Sequence, residues 1–128
     1  MPLSVRVDRG SPTSGAGIVH VTLDGSLDST TAPALERELA AALEGDVRAL
    51  VLDLQRLVFL SSAGVRVIAA TRKTLAARGG KVLMINMQPP VAKVFEIIKA
   101  LPELLAFKDI QELDDYLAAM QRKVREGG

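Results

Sequence analysis

Two periods alternate along this chain, one of two residues and one of three to four, and their order outlines an architecture. Residues 3–7 read Leu, Ser, Val, Arg, Val, apolar at every second position, the pattern of a short half-exposed strand at a sheet edge. Residues 17–24 resume the alternation, with Val19, Val21 and Leu23 on one face. The run Gly10, Ser11, Pro12, Thr13, Ser14, Gly15 between them reads as a turn, so the two strands are expected to form an antiparallel pair. Beyond Gly25, Asp28, Ser29 and Thr30 carry short side-chain oxygens suited to capping a helix start. The helix continues to about Glu44, with Leu35, Leu39, Ala42 and Leu43 as its apolar stripe and Glu36, Arg37 and Glu38 turned to water.

Residues 47–54 lose the alternation and are mostly apolar, which suits a central strand covered on both faces. A second helix is expected over 62–77, placing Val65, Ile68 and Leu75 inward, with Arg78, Gly79 and Gly80 as stop signals. Val82 to Ile85 reads as the next buried strand. Pro89 and Pro90 open a third helix, whose stripe is Val91, Val94, Phe95 and Ile98 and which Pro102 ends. A short extended piece around 104–107 leads to a last helix from Asp109, where Ile110, Leu113, Leu117, Met120 and Val124 recur by threes and fours. That stripe is too short for a sustained coiled coil, so packing on its own sheet is expected.

The result is an α/β fold, one domain over 1–128, with a mixed sheet of about five strands and about four helices. Parallel strands at the centre of such a sheet gather functional loops at their carboxyl ends. The junction at Ser61 and Ser62 falls at one of them.

Composition narrows the chemistry. Hydrophobic residues make up 48% of the 128 but aromatics only 3%, so the core is aliphatic and stacking platforms for nucleic acid are lacking. Sixteen basic and fifteen acidic residues leave a net charge of +1, far from the positive field that gathers phosphates, and direct nucleic-acid binding is not expected. With no cysteine and one histidine, His20, neither thiol catalysis nor a metal site of ordinary type is expected, and no cofactor. The start Met1, Pro2, Leu3, Ser4 has no signal-peptide pattern, and no apolar run approaches the ~20 residues of a membrane span. A cytoplasmic protein without membrane insertion is the expectation.

The segment from Asp53 to Val65 is the most informative. Two serines at a strand-to-helix junction have a structural explanation, since one can cap the helix. Catalysis is not expected: Ser62 lies outside any Gly-x-Ser-x-Gly elbow, and His20, on the strand face opposite Val19 and Val21, is a poor base for it. Gly79-Gly80 follows a helix instead of preceding one and is a stop signal, not a phosphate loop. Arg66, Arg72, Lys73 and Arg78 form a solvated face or, alternatively, meet an acidic partner.

Gly25-Ser26-Leu27-Asp28, then Asp53-Leu54, then Phe59-Leu60-Ser61-Ser62-Ala63-Gly64-Val65, in this order and spacing, resemble the STAS domain of anti-sigma factor antagonists. Lys81 to Met87 and the Pro89-Pro90-Val91 helix start also fit the family's layout. The resemblance implies a protein-binding switch and not an enzyme. It implies phosphorylation at Ser62, with Ser61 as the second choice, by a serine/threonine kinase that is itself the anti-sigma factor. The unphosphorylated antagonist would bind that kinase, phosphorylation would break the complex, and a metal-dependent protein phosphatase would restore it. The partner-binding surface would comprise Asp28, Ser61, Ser62, Gly64 and Val65, with Asp28 alternatively a helix cap. Asp53 would be structural or would bind loop amides that shape the serine turn. Where the family commonly has Asp-Ser-Ser-Gly, this chain has Ser61-Ser62-Ala63-Gly64. The missing acid keeps open a second role, an unphosphorylated STAS scaffold or transport-complex subunit.

Overall fold

A computed structural model of the chain describes residues 3–9, 17–100 and 110–126. The elements run β1 (Leu3–Asp8), β2 (Ile18–Leu27), α1 (Ala32–Ala42), β3 (Ala49–Leu60), α2 (Ser62–Ala77), β4 (Lys81–Ile85), α3 (Pro89–Ala100) and α4 (Ile110–Arg125). The sheet has the order β1-β2-β3-β4. β1 pairs antiparallel with β2, while β2 and β3, and β3 and β4, are parallel. The expected mixed sheet with a parallel centre is therefore present, with four strands among the described residues. The turn expected at 10–15 and the extended piece expected at 104–107 lie outside the described residues.

The core follows from the alternation. Val19, Val21 and Leu23 of β2 and Leu50, Leu52 and Leu54 of β3 point to one face, where Leu35 and Leu39 of α1, Val67, Ile68 and Leu75 of α2, Val91 and Val94 of α3 and Leu117 of α4 join them in one buried cluster. Aliphatic burial of this kind stabilises by about 25 cal/mol per Å² removed from water. Among the described residues, all four helices contribute to this one cluster. β4, read from sequence as a buried strand, instead alternates: Val82 and Met84 pack on the core while Leu83 and Ile85 are exposed. The reason is topological, because one layer of helices cannot cover both faces of a strand.

β3 also outruns its expected end at 54 and reaches Leu60. Two register shifts against β2, between Thr22 and Asp24 and between Gly25 and Ser26, accommodate the extra length. β4 stops at Ile85, opposite Asp53. Past that point β3 has no described strand on its β4 side, so its polar backbone groups there need other partners. Gln88 supplies one, its amide nitrogen donating to the Gln55 carbonyl.

Helix boundaries match the local chemistry. α2 ends where Gly79 turns to φ 77°, a left-handed conformation that glycine adopts without strain. The Gly80 amide donates back to the Leu75 carbonyl at 2.8 Å. A side chain at Gly80 would place Cβ 2.5 Å from the Arg48 carbonyl oxygen, so this pair is a helix stop packed on backbone. α3 opens at Pro89, as expected.

Candidate functional site

A single residue, Ser61, joins β3 to α2. It stands at the helix N-cap with extended backbone (φ −102°, ψ 174°). Its amide donates to the Leu27 carbonyl at 2.9 Å, prolonging the β2–β3 pairing, and its carbonyl accepts from the Val65 amide at 3.1 Å. The capping explanation of the serines holds for position but not for chemistry. Ser61 makes no side-chain cap bond, and the hydroxyls of Ser61 and Ser62 are both buried without a hydrogen-bond partner. The two residues are 6% and 5% exposed. Orphaned buried hydroxyls are uncommon, since each forgoes hydration without replacement.

Gly64 has a packing role. A Cβ there would lie 2.5 Å from Leu27 Cγ and 2.7 Å from Leu60 Cδ1, so its lack of a side chain lets the first turn of α2 lie close over the ends of β2 and β3. It is buried. Val65 is half-buried and faces a groove of about 830 Å³ between α2, α3 and β4, with Ile68, Met84 and Phe95.

The backbone at the junction is held from a distance. Asp114 Oδ1 on α4 accepts from the Ser62 amide at 2.9 Å. Gln121, also on α4 and 2% exposed, accepts from the Leu60 amide through Oε1 at 2.8 Å and donates from Nε2 to the Leu60 carbonyl at 2.8 Å. Gln121 thus serves the open edge of β3 as a strand would, and Asp114 places a carboxylate at the N-terminus of α2, where the helix dipole favours an anion. Sequence reading missed both residues. Their signal was faint: Asp114, Leu117 and Gln121 share one face by helical spacing, which sets two polar side chains on the expected apolar stripe.

Asp28 is brought beside this junction, because Leu27 pairs with Leu60 in the register of β2 and β3. Its Oδ1 accepts from the Thr30 amide at 2.9 Å, the Thr30 hydroxyl at 2.7 Å and the Thr31 amide at 3.1 Å. The Thr30 hydroxyl is the main cause of a carboxyl pKa below the usual aspartate value; partial desolvation opposes it and the two backbone amides add to it. Thr31 Oγ1 accepts from the Asp28 amide at 2.9 Å and donates to the Ser26 carbonyl at 2.8 Å. Asp28 therefore caps the approach to α1 while remaining partly open to solvent. Next to it a shallow groove of about 350 Å³ runs between α1 and α2, lined by Ser29, Pro33, Glu36, Ala63 and Arg66. Asp28 and Ser62 belong to this end of the molecule, whereas Val65 opens onto the groove beside α3.

Asp53 has no part in the serine turn. It lies within β3, seven residues before Leu60, and its Oδ1 accepts from the Gln55 amide at 3.0 Å and from Asn86 Nδ2 at 3.3 Å. Of the two roles expected for it, these contacts fit the structural one, because β3 continues past Asp53. Among the described residues, no helix is long and apolar enough to cross a membrane.

A mixed sheet with its helices on one face, and two helix starts brought together at the carboxyl ends of β2 and β3, define a small α/β domain with one built end. The STAS domain family model matches residues 13–113, and the chain belongs to that family. It is 41% identical over 81 residues, 63% of this chain and 70% of the other, to BtrV of Bordetella bronchiseptica, assigned as an anti-sigma factor antagonist. The crystal structure of an anti-sigma factor antagonist from Mycobacterium paratuberculosis is similar, with a TM-score of 0.60 and 29% identity over 93% of this chain and 94% of that one. The anti-sigma factor antagonist SpoIIAA in its unphosphorylated form shares the fold, with a TM-score of 0.60 and 23% identity over 73% of this chain and 83% of its own.

Proposed function

We propose that this chain is an anti-sigma factor antagonist in a cytoplasmic partner-switching pathway. Unphosphorylated, it binds an anti-sigma serine/threonine kinase and so frees a sigma factor; phosphorylation at Ser62 releases the kinase, and a metal-dependent phosphatase resets the switch. The observation that carries this reading is the Ser61-Ser62 junction, whose hydroxyls have no structural partner although they stand at the start of a long helix. The names of the relatives support it. A phosphate adds about −1.5 to −2 charges, taking the domain from +1 to neutral or slightly negative. The N-terminus of α2 tolerates such an anion within the fold. A partner surface closed over it does not, because the dianion is desolvated there without a counter-charge.

The test is to incubate the chain with its cognate kinase and ATP and to map the phosphate by mass spectrometry. Modification is expected on Ser62 and absent from Ser62→Ala, and Ser62→Asp is expected to weaken kinase binding by about tenfold or more. No phosphate on either serine, together with wild-type binding by Ser62→Asp, refutes the reading. The burial of both hydroxyls favours a second one, a STAS scaffold or transport-complex subunit that is never phosphorylated. Stable co-purification with a larger assembly, and an unmodified Ser62 in cells, would favour it.

A further inference from the structure

The groove between α2, α3 and β4 has a volume of about 830 Å³, inside the range of about 300–1,000 Å³ typical of small-molecule sites. Val65 and Ile68 of α2, Val82 and Met84 of β4 and Phe95 and Ile98 of α3 form its apolar surface. All but Ile68 are only half-buried, although they pack on the core cluster. The sequence explains why the groove stays open. α2 presents Ala69 and Ala76 to it, and their methyl groups fill little of the space. Both alanines are exposed.

The charges around the groove are all of one sign. Arg72, Lys73 and Lys99 line it, and no acid does so among the described residues. None of the three is in an ion pair among those residues. They are also unevenly placed. α2 starts at the carboxyl ends of the strands and runs back, so Val65 and Ile68 come first and Arg72 lies about 10 Å beyond Val65. Lys99 stands in the last turn of α3. One stretch of the groove is therefore purely apolar and another is cationic. An acidic helix laid along it would bring charge to both. A single-chain carboxylate, with one anionic head and one apolar tail, has the same division as the groove.

We infer that this groove binds a free long-chain fatty acid, its carboxylate held by Arg72, Lys73 and Lys99 and its tail laid over Met84 and Phe95 toward Val65. The head gains charge-assisted hydrogen bonds from groups that otherwise face water. The tail covers apolar surface that the fold leaves exposed. Binding is noncovalent and does not involve the hydroxyl of Ser62, so it stands whether or not that residue accepts phosphate.

Titration calorimetry of the full-length chain with sodium tetradecanoate, kept below its micelle concentration, tests the site. One molecule per chain is expected to bind, about tenfold or more tighter than decanoate, because each buried methylene strengthens binding severalfold. Methyl resonances of Val65, Ile68, Met84 and Ile98 are expected to shift on binding, whereas those of the exposed Leu83 and Ile85 stay in place. Arg72→Gln, Lys73→Gln and Lys99→Gln combined are expected to weaken binding about tenfold. Ala69→Phe puts a ring into the groove from an exposed position and is expected to weaken it by about tenfold or more, with the urea midpoint near that of wild type. No saturable binding, equal affinity for decanoate and tetradecanoate, or full affinity in either variant overturns the site. If the chain instead binds phosphatidylglycerol vesicles but not the free acid, the groove belongs to a membrane surface. If it takes up no acid and self-associates in a way that Ala69→Phe abolishes, the groove belongs to a second copy. Either result overturns the fatty-acid site.

Discussion

Helices α1 and α2 begin at the carboxyl ends of neighbouring parallel strands and face one problem, first-turn amides without acceptors inside the helix. α1 meets it locally. Asp28, three and four residues ahead of Thr31 and Ala32, accepts from Thr30 and Thr31 through its side chain, and its carbonyl accepts from the Ala32 amide at 2.8 Å. α2 leaves its local oxygens idle, and Asp114 comes from 52 residues away to hold the Ser62 amide. The contrast separates two demands on a helix start. Side chains engaged in capping are tied to the fold, whereas the hydroxyls of Ser61 and Ser62 carry no hydrogen bond and can be altered without breaking one.

The largest test of this contrast is Gln121→Ala, which strips both backbone groups of Leu60 of their partner and is expected to cost about 2 kcal/mol, read from the urea midpoint. If it costs less than removing the Asp28 cap, the distant hold on the α2 junction is not what stabilises it. Gly64→Ala comes next. Its Cβ meets Leu27 and Leu60 at 2.5–2.7 Å, and overpacking outweighs the gain in helix propensity by about 1–2 kcal/mol; a stabilised variant would mean that the junction has room to spare. Asp28→Ala removes a local cap and is expected to lower stability by about 1 kcal/mol. Because Asp28 has a lowered pKa in the folded state, its contribution is present above about pH 4 and is lost as pH falls through the lowered value. Asp28→Asn should therefore show a shallower loss of stability between pH 5 and 3 than wild type, on the order of tenths of a kcal/mol.

The same contrast marks what is legible in the sequence. Several features encoded locally agree between the reading and the molecule. The alternation at Val19, Val21 and Leu23, the α2 span of Ser62–Ala77, the Gly79 stop and the Pro89 start are all as expected, because each depends on periodicity or on backbone limits within a few residues. The departures have non-local causes. β3 passes Asp53 because register shifts against β2 let it continue, and no pattern in β3 alone encodes a bulge. Leu83 and Ile85 stay exposed because the helices occupy one side of the sheet, a fact of topology and not of composition. The serine turn was picked out by its motif, but the hold on its backbone was not, since the residues that bond it are written 52 and 61 positions later.

Those separations also weigh on folding. Closing a loop of that length carries an entropic cost that local contacts do not, and it is offset only when a ready surface receives the far end. The β2–β3 pairing and the start of α2 are such a surface. The bonds from Asp114 and Gln121 therefore carry a larger loop-closure cost than the local bonds that Asp28 makes.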